Sequence, residues 1–375
     1  AAPSIAAPLR HILRKQDNVT VLMGEVRGID TGTRRVTVGE RAVGYDYLLV
    51  ASGATHAYFG RDDWAGFAPG LKTLDDAFLI RRRILDSFER AEATSDEAER
   101  DACLTFAVIG GGPTGVELAG TLAEIARHTL ARDFRHIDPR KARVLLVEAG
   151  PRVLAAFSED LSGKARKQLE RLGVEVHVGQ PVTDIGEGYL AFGGQRIAAR
   201  TILWGAGVAA SALGKQLGAE LDRAGRVRVA SDLSLPGHPE VFVAGDLANL
   251  QQEDGKPVPG VAPAAKQMGT HAAQNMLARI SNQPTRPFRY KDWGALATIG
   301  RHSAVAQLPT LRFSGILAWW FWLVLHIMFL IGFRSRLIVL INWAWSYFTY
   351  ERGARIILGT ETPRGVHGSE EKGSA

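Results

Sequence analysis

Ala107-Val108-Ile109-Gly110-Gly111-Gly112-Pro113-Thr114-Gly115-Val116-Glu117 is the stretch on which the fold turns. Glycines at 110, 112 and 115 spell GxGxxG between an apolar run, Leu104 to Ile109, and a helical one, Val116 to Leu130. Strand, tight turn and helix in that order make a nucleotide cradle. Gly110 permits the turn, Gly112 lets a pyrophosphate approach the backbone, and Gly115 lets the helix pack close to the strand. Gly111 and Thr114 complete the loop, whose free N–H groups lie at the positive end of the helix. A purely structural glycine turn is the alternative, and the flanking strand and helix weigh against it.

The next strand, Arg143 to Val147, ends in Glu148. A carboxylate there accepts hydrogen bonds from ribose hydroxyls and repels a 2′-phosphate, which favours NAD over NADP. Arg152 nearby weakens that exclusion, and a plain surface-turn role for Glu148 competes with it. The long separation from the glycines implies a lengthened helix or an insertion across Arg127 to Lys141. Further out come a helix at Leu161 to Leu172 and strands at Val174 to Val178, Thr201 to Leu203 and Val241 to Val243. Alternating strands and helices predict an α/β fold with a parallel, doubly wound sheet.

Toward the N-terminus the pattern is β-rich. Asn18 to Asp30 alternates, Thr31-Gly32 turns, and Arg35 to Val38 returns. Tyr45 to Ala51 is a continuous apolar run, predicted to be a buried strand, closed by Ser52-Gly53-Ala54-Thr55. Leu74 to Glu92 has a helical stripe of Phe78, Ile80, Ile84, Leu85 and Phe88. Glu89 to Asp101 reads as a solvated connection.

With 46% hydrophobic and 22% charged residues, the chain is globular rather than disordered. Its formal charge of +6 permits attraction to anionic lipid or nucleotide, although such an excess commonly serves only solubility. The single cysteine, Cys103, excludes an internal disulfide and a CxxC redox pair, and fits a reducing compartment. The opening Ala1-Ala2-Pro3 has no Met and no visible signal peptide, so the sequence reads as a fragment. No residue is assigned to a metal.

The last quarter changes character. Gly315 to Phe333 carries no Asp, Glu, Lys or Arg and approaches the ~20 residues that span hydrocarbon. Trp319, Trp320 and Trp322 mark one end, as interfacial aromatics do, and Arg334 and Arg336 close the other. Leu337 to Tyr350 is a second apolar stretch, too short to span easily. Burial against the body of the protein or in a homodimer interface is the alternative to a membrane. His326, amid apolar residues, reads as a packed or interfacial histidine rather than a proton relay.

Four motifs follow one another along the chain: the Ser52 to Thr55 turn, GGGPTGVELAG (Gly110 to Gly120), TILWGAGV (Thr201 to Val208) and VFVAGDL (Val241 to Leu247). Together they resemble the flavoproteins with two dinucleotide-binding domains, in which an NAD domain is inserted in a discontinuous FAD domain. Within these, APAAKQ (Ala262 to Gln267) is similar to the AQxAxQ quinone motif of the type II NADH dehydrogenases, with Pro263 at the first glutamine position. The resemblance implies FAD and NADH as cofactors and hydride transfer from NADH to FAD. Electrons then pass to a membrane quinone without proton pumping, at the cytoplasmic face of the inner (plasma) membrane. It assigns Gly110, Gly111, Gly112, Thr114, Gly115, Glu117, Glu148 and Gly207 to NAD. Ser52, Gly53, Ala54, Gly245, Asp246 and Ala265 fall to FAD, and Ala262, Ala265 and Gln267 to the quinone.

Glu117 and Gln267 are the implied catalytic residues. Glu117 matches a glutamate near the nicotinamide, and Gln267 offers an amide to a quinone carbonyl or flavin oxygen. A first-turn glutamate serving the helix dipole, an Asp246 helix cap and an ordinary Gln in a helix are the plainer readings. The implied domains are 1–98 and 237–307 for FAD, 99–236 for NADH and 308–360 for two helices lying in one leaflet, before a disordered tail, 361–375. The family's earlier FAD GxGxxG loop has no counterpart before Leu74. That lack suggests weak FAD binding, an unpaired sheet edge and, as the rival function, a membrane-attached NAD-binding module without redox activity.

Overall fold

The structure, a computed structural model, describes residues 7–349 apart from 254 and 331, together with residue 357. The expected tail at 361–375 and the expected end of the second apolar stretch at Tyr350 lie outside the described residues.

After a short helical turn at Leu9–Leu13, strands β1 (Val26–Asp30), β2 (Arg35–Val38) and β3 (Arg41–Gly44) form an antiparallel sheet. The strand expected from Asn18 begins only at Val26. Residues 18–25 carry no strand, and Val19 is exposed, so alternation there has no buried face to serve. The buried strand expected over Tyr45 to Ala51 shrinks to β4 (Leu48–Val50), whose middle residue, Leu49, is 37% exposed. β4 is the outer member of its three-stranded sheet. β5 (Ala54–His56) follows the Ser52-Gly53 turn.

Helix α1 (Leu74–Ala93) starts at a capping box in which Thr73 and Asp76 satisfy each other's backbone N–H groups. Its buried stripe is Ile80, Ile84, Leu85, Phe88 and Ala91, with Phe78 left outside. The supposed solvated connection is instead the end of α1 and a second helix, α2 (Glu97–Cys103), capped by Asp96.

β6 (Thr105–Ile109) is buried at all five residues. It leads through the glycine loop into α3 (Pro113–Glu124), with Pro113 in the first turn, where its missing N–H is harmless. α3 does not run to Leu130 as an α-helix. A wider π-turn takes over at Ile125–Thr129, and a loop replaces the lengthened helix up to Lys141. Glu92 holds that loop by accepting from the N–H groups of Arg135, His136 and Ile137.

β7 (Arg143–Glu148), α4 (Glu159–Arg171) and β8 (Val174–Val178) follow, then an antiparallel sheet of β9 (Val182–Gly186), β10 (Tyr189–Phe192) and β11 (Gln195–Ala198). β12 (Thr201–Trp204) completes a parallel sheet in the order β12-β6-β7-β8, with Ile109 beside both Trp204 and Val147. Phe106, Val108, Val144, Leu146 and Leu203 pack with Val116, Ala119 and Leu169 into one core. Each such large side chain contributes roughly 1.5–3 kcal/mol of burial.

β13 (Val208–Ala210) pairs with β5. Short strands β14 (Val227–Arg228) and β15 (Ser234–Leu235) precede β16 (His238–Val243), which runs parallel to β4 and antiparallel to β15. β17 (Ala248–Asn249) and α5 (Ala262–Ile280) close a second core around Val241, Phe242, Val243, Ala264, Met268 and Ala272.

A third antiparallel sheet, unexpected from sequence, comprises β18 (Ala295–Gly300), β19 (Ser303–Gln307) and β20 (Arg312–Ser314). The proposed boundary between 307 and 308 falls inside it. Ala297, Ile299 and Val305 join the core of the parallel sheet. Ala304 and Ala306 face Ala318 of α6 (Ile316–Phe329). α7 (Phe333–Thr349) follows a turn at Gly332, whose φ is +85°. The single spanning segment suggested by Gly315 to Phe333 is therefore broken. At 14 and 17 residues, α6 and α7 reach about 21 and about 26 Å, short of the ~30 Å hydrocarbon core. No helix among the described residues is long and apolar enough to cross a membrane.

Candidate functional site

The glycine loop leaves β6 at the carboxyl end of the parallel sheet, the side where such sheets take ligands. Gly110 has φ +103°, and a Cβ there would stand 2.5 Å from Ala206 Cα, so the turn admits only glycine. At Gly115 a Cβ would overlap the Gly110 carbonyl oxygen, which explains the close approach of helix to strand. Gly112 differs: nothing lies within 4 Å of its notional Cβ, so this backbone is open to an incoming group. Gly112 is also the N-cap of α3, with no side-chain cap on the helix's first N–H groups, and Thr114 is exposed in the first turn. Open backbone, unfilled donors and a helix N-terminus fit a pyrophosphate.

Glu148 ends β7 beside this loop. Its Oε2 accepts from Gly111 N–H, and its Oε1 from Gly150 N–H at 2.6 Å. The carboxylate thus ties the loop to the second strand. It keeps lone pairs for a ribose, since an ionised carboxyl has roughly four acceptor sites. Glu117 sits on α3 with its side chain half-buried. Its Oε1 accepts from both the N–H and the Oγ1 of Thr298, each at 3.2 Å. Burial raises its pKa, and the two Thr298 bonds oppose that rise. Gly207 lies under a side chain that the sequence did not flag. A Cβ there would come within 2.6 Å of the Phe59 ring, and Phe59 is 73% exposed with φ +53°. The Phe59 ring thus lies against Gly207.

The FAD candidates gather at another pair of parallel strand ends. β4 and β16 pair through Val50 and Val243, and Ala244 N–H donates to Val50 O. Both strands then turn at glycines of positive φ, Gly53 at +69° and Gly245 at +74°. Nothing stands within 4 Å of a Cβ at Gly53, and Ser52 is exposed. Ala54 pairs with Ala210 across the β5–β13 ladder. Asp246 is accessible and is paired with Lys72 Nζ at 3.2 Å, a partner 174 positions away that no local pattern signals. The open turn at Gly53 and the accessible carboxylate suit the polyol of a flavin cofactor.

At Gly245 a Cβ would sit 3.4 Å from Ala265 Cβ, so the VFVAGDL turn rests on the first turns of α5. Ala265 is therefore next to the Asp246 turn, with Ala262 at the start of the same helix. Gln267 is engaged elsewhere: its Nε2 donates to Lys291 O and its Oε1 accepts from Lys291 N–H, both at 3.0 Å. Those bonds fasten the segment after α5 and leave one N–H of the amide for anything else. Lys266, beside it, holds its Nζ 5.8 Å from the Phe329 ring centroid at the end of α6.

α6 and α7 expose Leu317, Trp320, Val324, Met328, Phe333, Leu337, Ile341 and Trp345. Trp322 and Trp343 stack between the two helices at 5.5 Å, and Arg336 Nε donates to the Leu330 carbonyl, tying α7 back to the end of α6. His326 is exposed, stacks on Trp322 and places its Nδ1 2.9 Å from Trp322 O.

Residues 1–269 match the family described as pyridine nucleotide-disulphide oxidoreductase, and residues 293–350 match the NDH2 C-terminal domain. The type II NADH:quinone oxidoreductase Ndh of Mycobacterium tuberculosis is 46% identical over 365 residues, covering 93% of this chain and 78% of that protein. A type II NADH:quinone oxidoreductase of Staphylococcus haemolyticus is 31% identical over 303 residues, covering 80% of this chain and 74% of its own length. The structure of NDH2 from Plasmodium falciparum in complex with NADH superposes with a TM-score of 0.83 at 19% identity, covering 96% of this chain and 90% of that one.

Proposed function

The chain belongs to the type II NADH:quinone oxidoreductases within the pyridine nucleotide-disulphide oxidoreductase family, and from that premise we propose a role for each part of its site. The activity is non-proton-pumping NADH:quinone oxidoreduction with FAD and NADH as cofactors. Bound FAD supplies an acceptor for the hydride of NADH and a two-electron donor for quinone. The residues bind, orient and separate the two substrates. Gly110 to Gly115 and Glu148 hold the pyrophosphate and ribose of NADH, and Glu117 meets the carboxamide. Ser52 to Ala54 and Asp246 hold FAD. Ala262 and Ala265 leave a small-residue approach for a quinone ring. Gln267 acts by fixing the 291 segment, with one amide N–H over for the quinone.

The observation that carries this reading is the contact of Gly245 with Ala265, which puts the flavin turn against the segment that resembles the quinone motif. The test is a visible spectrum of the purified chain with FAD in detergent, without oxygen. NADH should bleach a bound flavin band, and added quinone should restore it. A chain that binds NADH but retains no flavin would refute it and leave the NAD-binding module.

The family is membrane-associated and peripheral. For this chain, the membrane face is the exposed apolar surface of α6 and α7. Between Trp293 and Tyr350 there is no Asp or Glu, and there are four arginines, Arg301, Arg312, Arg334 and Arg336. That charge suits an anionic leaflet. We place it on the cytoplasmic face of the inner (plasma) membrane, where NADH is supplied. Flotation with vesicles tests this. Sedimentation as a homodimer that ignores vesicles would instead assign the apolar helices to a second copy.

A further inference from the structure

α3 presents Glu117, Gly120 and Glu124 on one face, and all three meet the outer strand of the β18–β19–β20 sheet. Glu117 Oε1 takes the N–H and hydroxyl of Thr298. Gly120 has no side chain to hold off the Ile299 carbonyl, so the strand lies directly on the helix. Glu124 accepts the Arg301 N–H. The edge of β18, which would otherwise show unpaired donors, is thus read by two carboxylates seven positions apart on a helix. One consequence falls on Glu117. Its Oε1 is fixed, while Oε2 takes no hydrogen bond among the described residues.

We propose that Thr298 is the positioning residue of the NADH site: it locks Oε1 of Glu117 so that Oε2 is presented to the carboxamide of the nicotinamide. This rests on the reading of Glu117 given above. The hydroxyl matters because the two donors come from one residue and fix both the rotamer and the ionised form of the carboxylate. Burial favours the neutral acid, and a proton on Oε2 would turn the oxygen presented to the carboxamide NH2 from an acceptor into a donor. Among the described residues, burial and the two Thr298 bonds set that balance, with no charged side chain from β18, β7 or α4 contributing. Thr298 therefore links the sheet that carries α6 to the nucleotide helix.

The test measures NAD+ affinity by calorimetry from about pH 5 to about pH 8, with the rate of flavin bleaching by NADH alongside. Thr298→Val keeps the shape and the backbone N–H and deletes the hydroxyl donor. One net hydrogen bond predicts about fivefold weaker binding at the acid end, and a smaller loss at the alkaline end, where the carboxylate is ionised in both proteins and only its orientation differs. Thr298→Ser should restore the wild-type profile. If Thr298→Val fails to fold, Thr298→Ala gives the same deletion in a smaller side chain. Superimposable profiles for wild type and the deletion variant, with Glu117→Gln flattening the profile, would overturn the proposal and keep Glu117 at the nicotinamide. A loss that Thr298→Ser does not restore would mark Thr298 as structural and also overturn it. A Glu117→Gln profile identical to wild type would sink the underlying reading of Glu117 instead.

Discussion

Replacing Glu148 by Gln should disable the nucleotide loop without touching the core. The carboxylate now serves two backbone donors, Gly111 N–H through Oε2 and Gly150 N–H through Oε1. A carboxamide has one acceptor oxygen, so one of these N–H groups must face an NH2. The lost bond is charge-assisted and contributes about 1.5–3 kcal/mol. At about 1.4 kcal/mol per factor of ten, NADH binding should weaken by about 10- to 150-fold. NADPH should respond differently. Its 2′-phosphate near an ionised Glu148, at about 5 Å and an effective dielectric constant of about 20, meets a repulsion of about 3 kcal/mol per unit charge, and Gln removes it. The preference for NADH over NADPH should therefore fall by at least about tenfold. Calorimetric titration of both nucleotides into wild type and Glu148→Gln measures the effect, with thermal melts as a check on folding. NADH affinity within about twofold of wild type, together with an unaltered preference, would refute the claim that Glu148 holds the loop and meets the ribose.

Other substitutions separate binding from packing. Gly112→Ala adds a methyl into open space, so its melting temperature should stay at the wild-type value while NADH binding weakens, because the pyrophosphate needs that backbone. Gly120→Ala drives a methyl into the Ile299 carbonyl and should cost about 1–3 kcal/mol or more in urea unfolding, through overpacking. Glu92 accepts three backbone N–H groups of the 135–137 loop, and its pKa lies at about 2 against an ordinary 4.5. Because the folded value is the lower one, its stabilisation is present above pH 4.5 and drains away as pH falls toward 2. Glu92→Gln should melt below wild type at neutral pH, and the difference should narrow in acid. A difference independent of pH would rule out the carboxylate as its source.

Local patterns were enough for the parallel sheet. β6, the glycine loop, α3, β7 ending in Glu148, α4 and β8 are each encoded by a run of about five to thirteen residues, because strand period, helix period and glycine turns are short-range properties. The same holds for the paired turns at Gly53 and Gly245 and for the apolar α6. Alternation at Asn18 to Glu25 makes no strand, since it has no surface to bury it. The π-turn at Ile125 has no local signal, because a continuous helical pattern does not report where the backbone leaves the α-helix, whereas the two C-terminal helices implied by the resemblance are present and part at Leu330 and Gly332.

What only the tertiary structure decided are the partners that sequence distance hides. Thr298 lies 181 positions from Glu117, and Lys72 lies 174 from Asp246. Lys291 occupies the amide that the motif had offered to quinone, and Phe59 covers Gly207. The sequence alone determined that a dinucleotide cradle, a second glycine-turn pair and an apolar C-terminal pair of helices exist in one chain. Which side chains stand opposite them depends on how separate elements dock, as the β18–β20 sheet does on α3, and that docking is set by complementary surfaces far apart in the chain rather than by any local propensity.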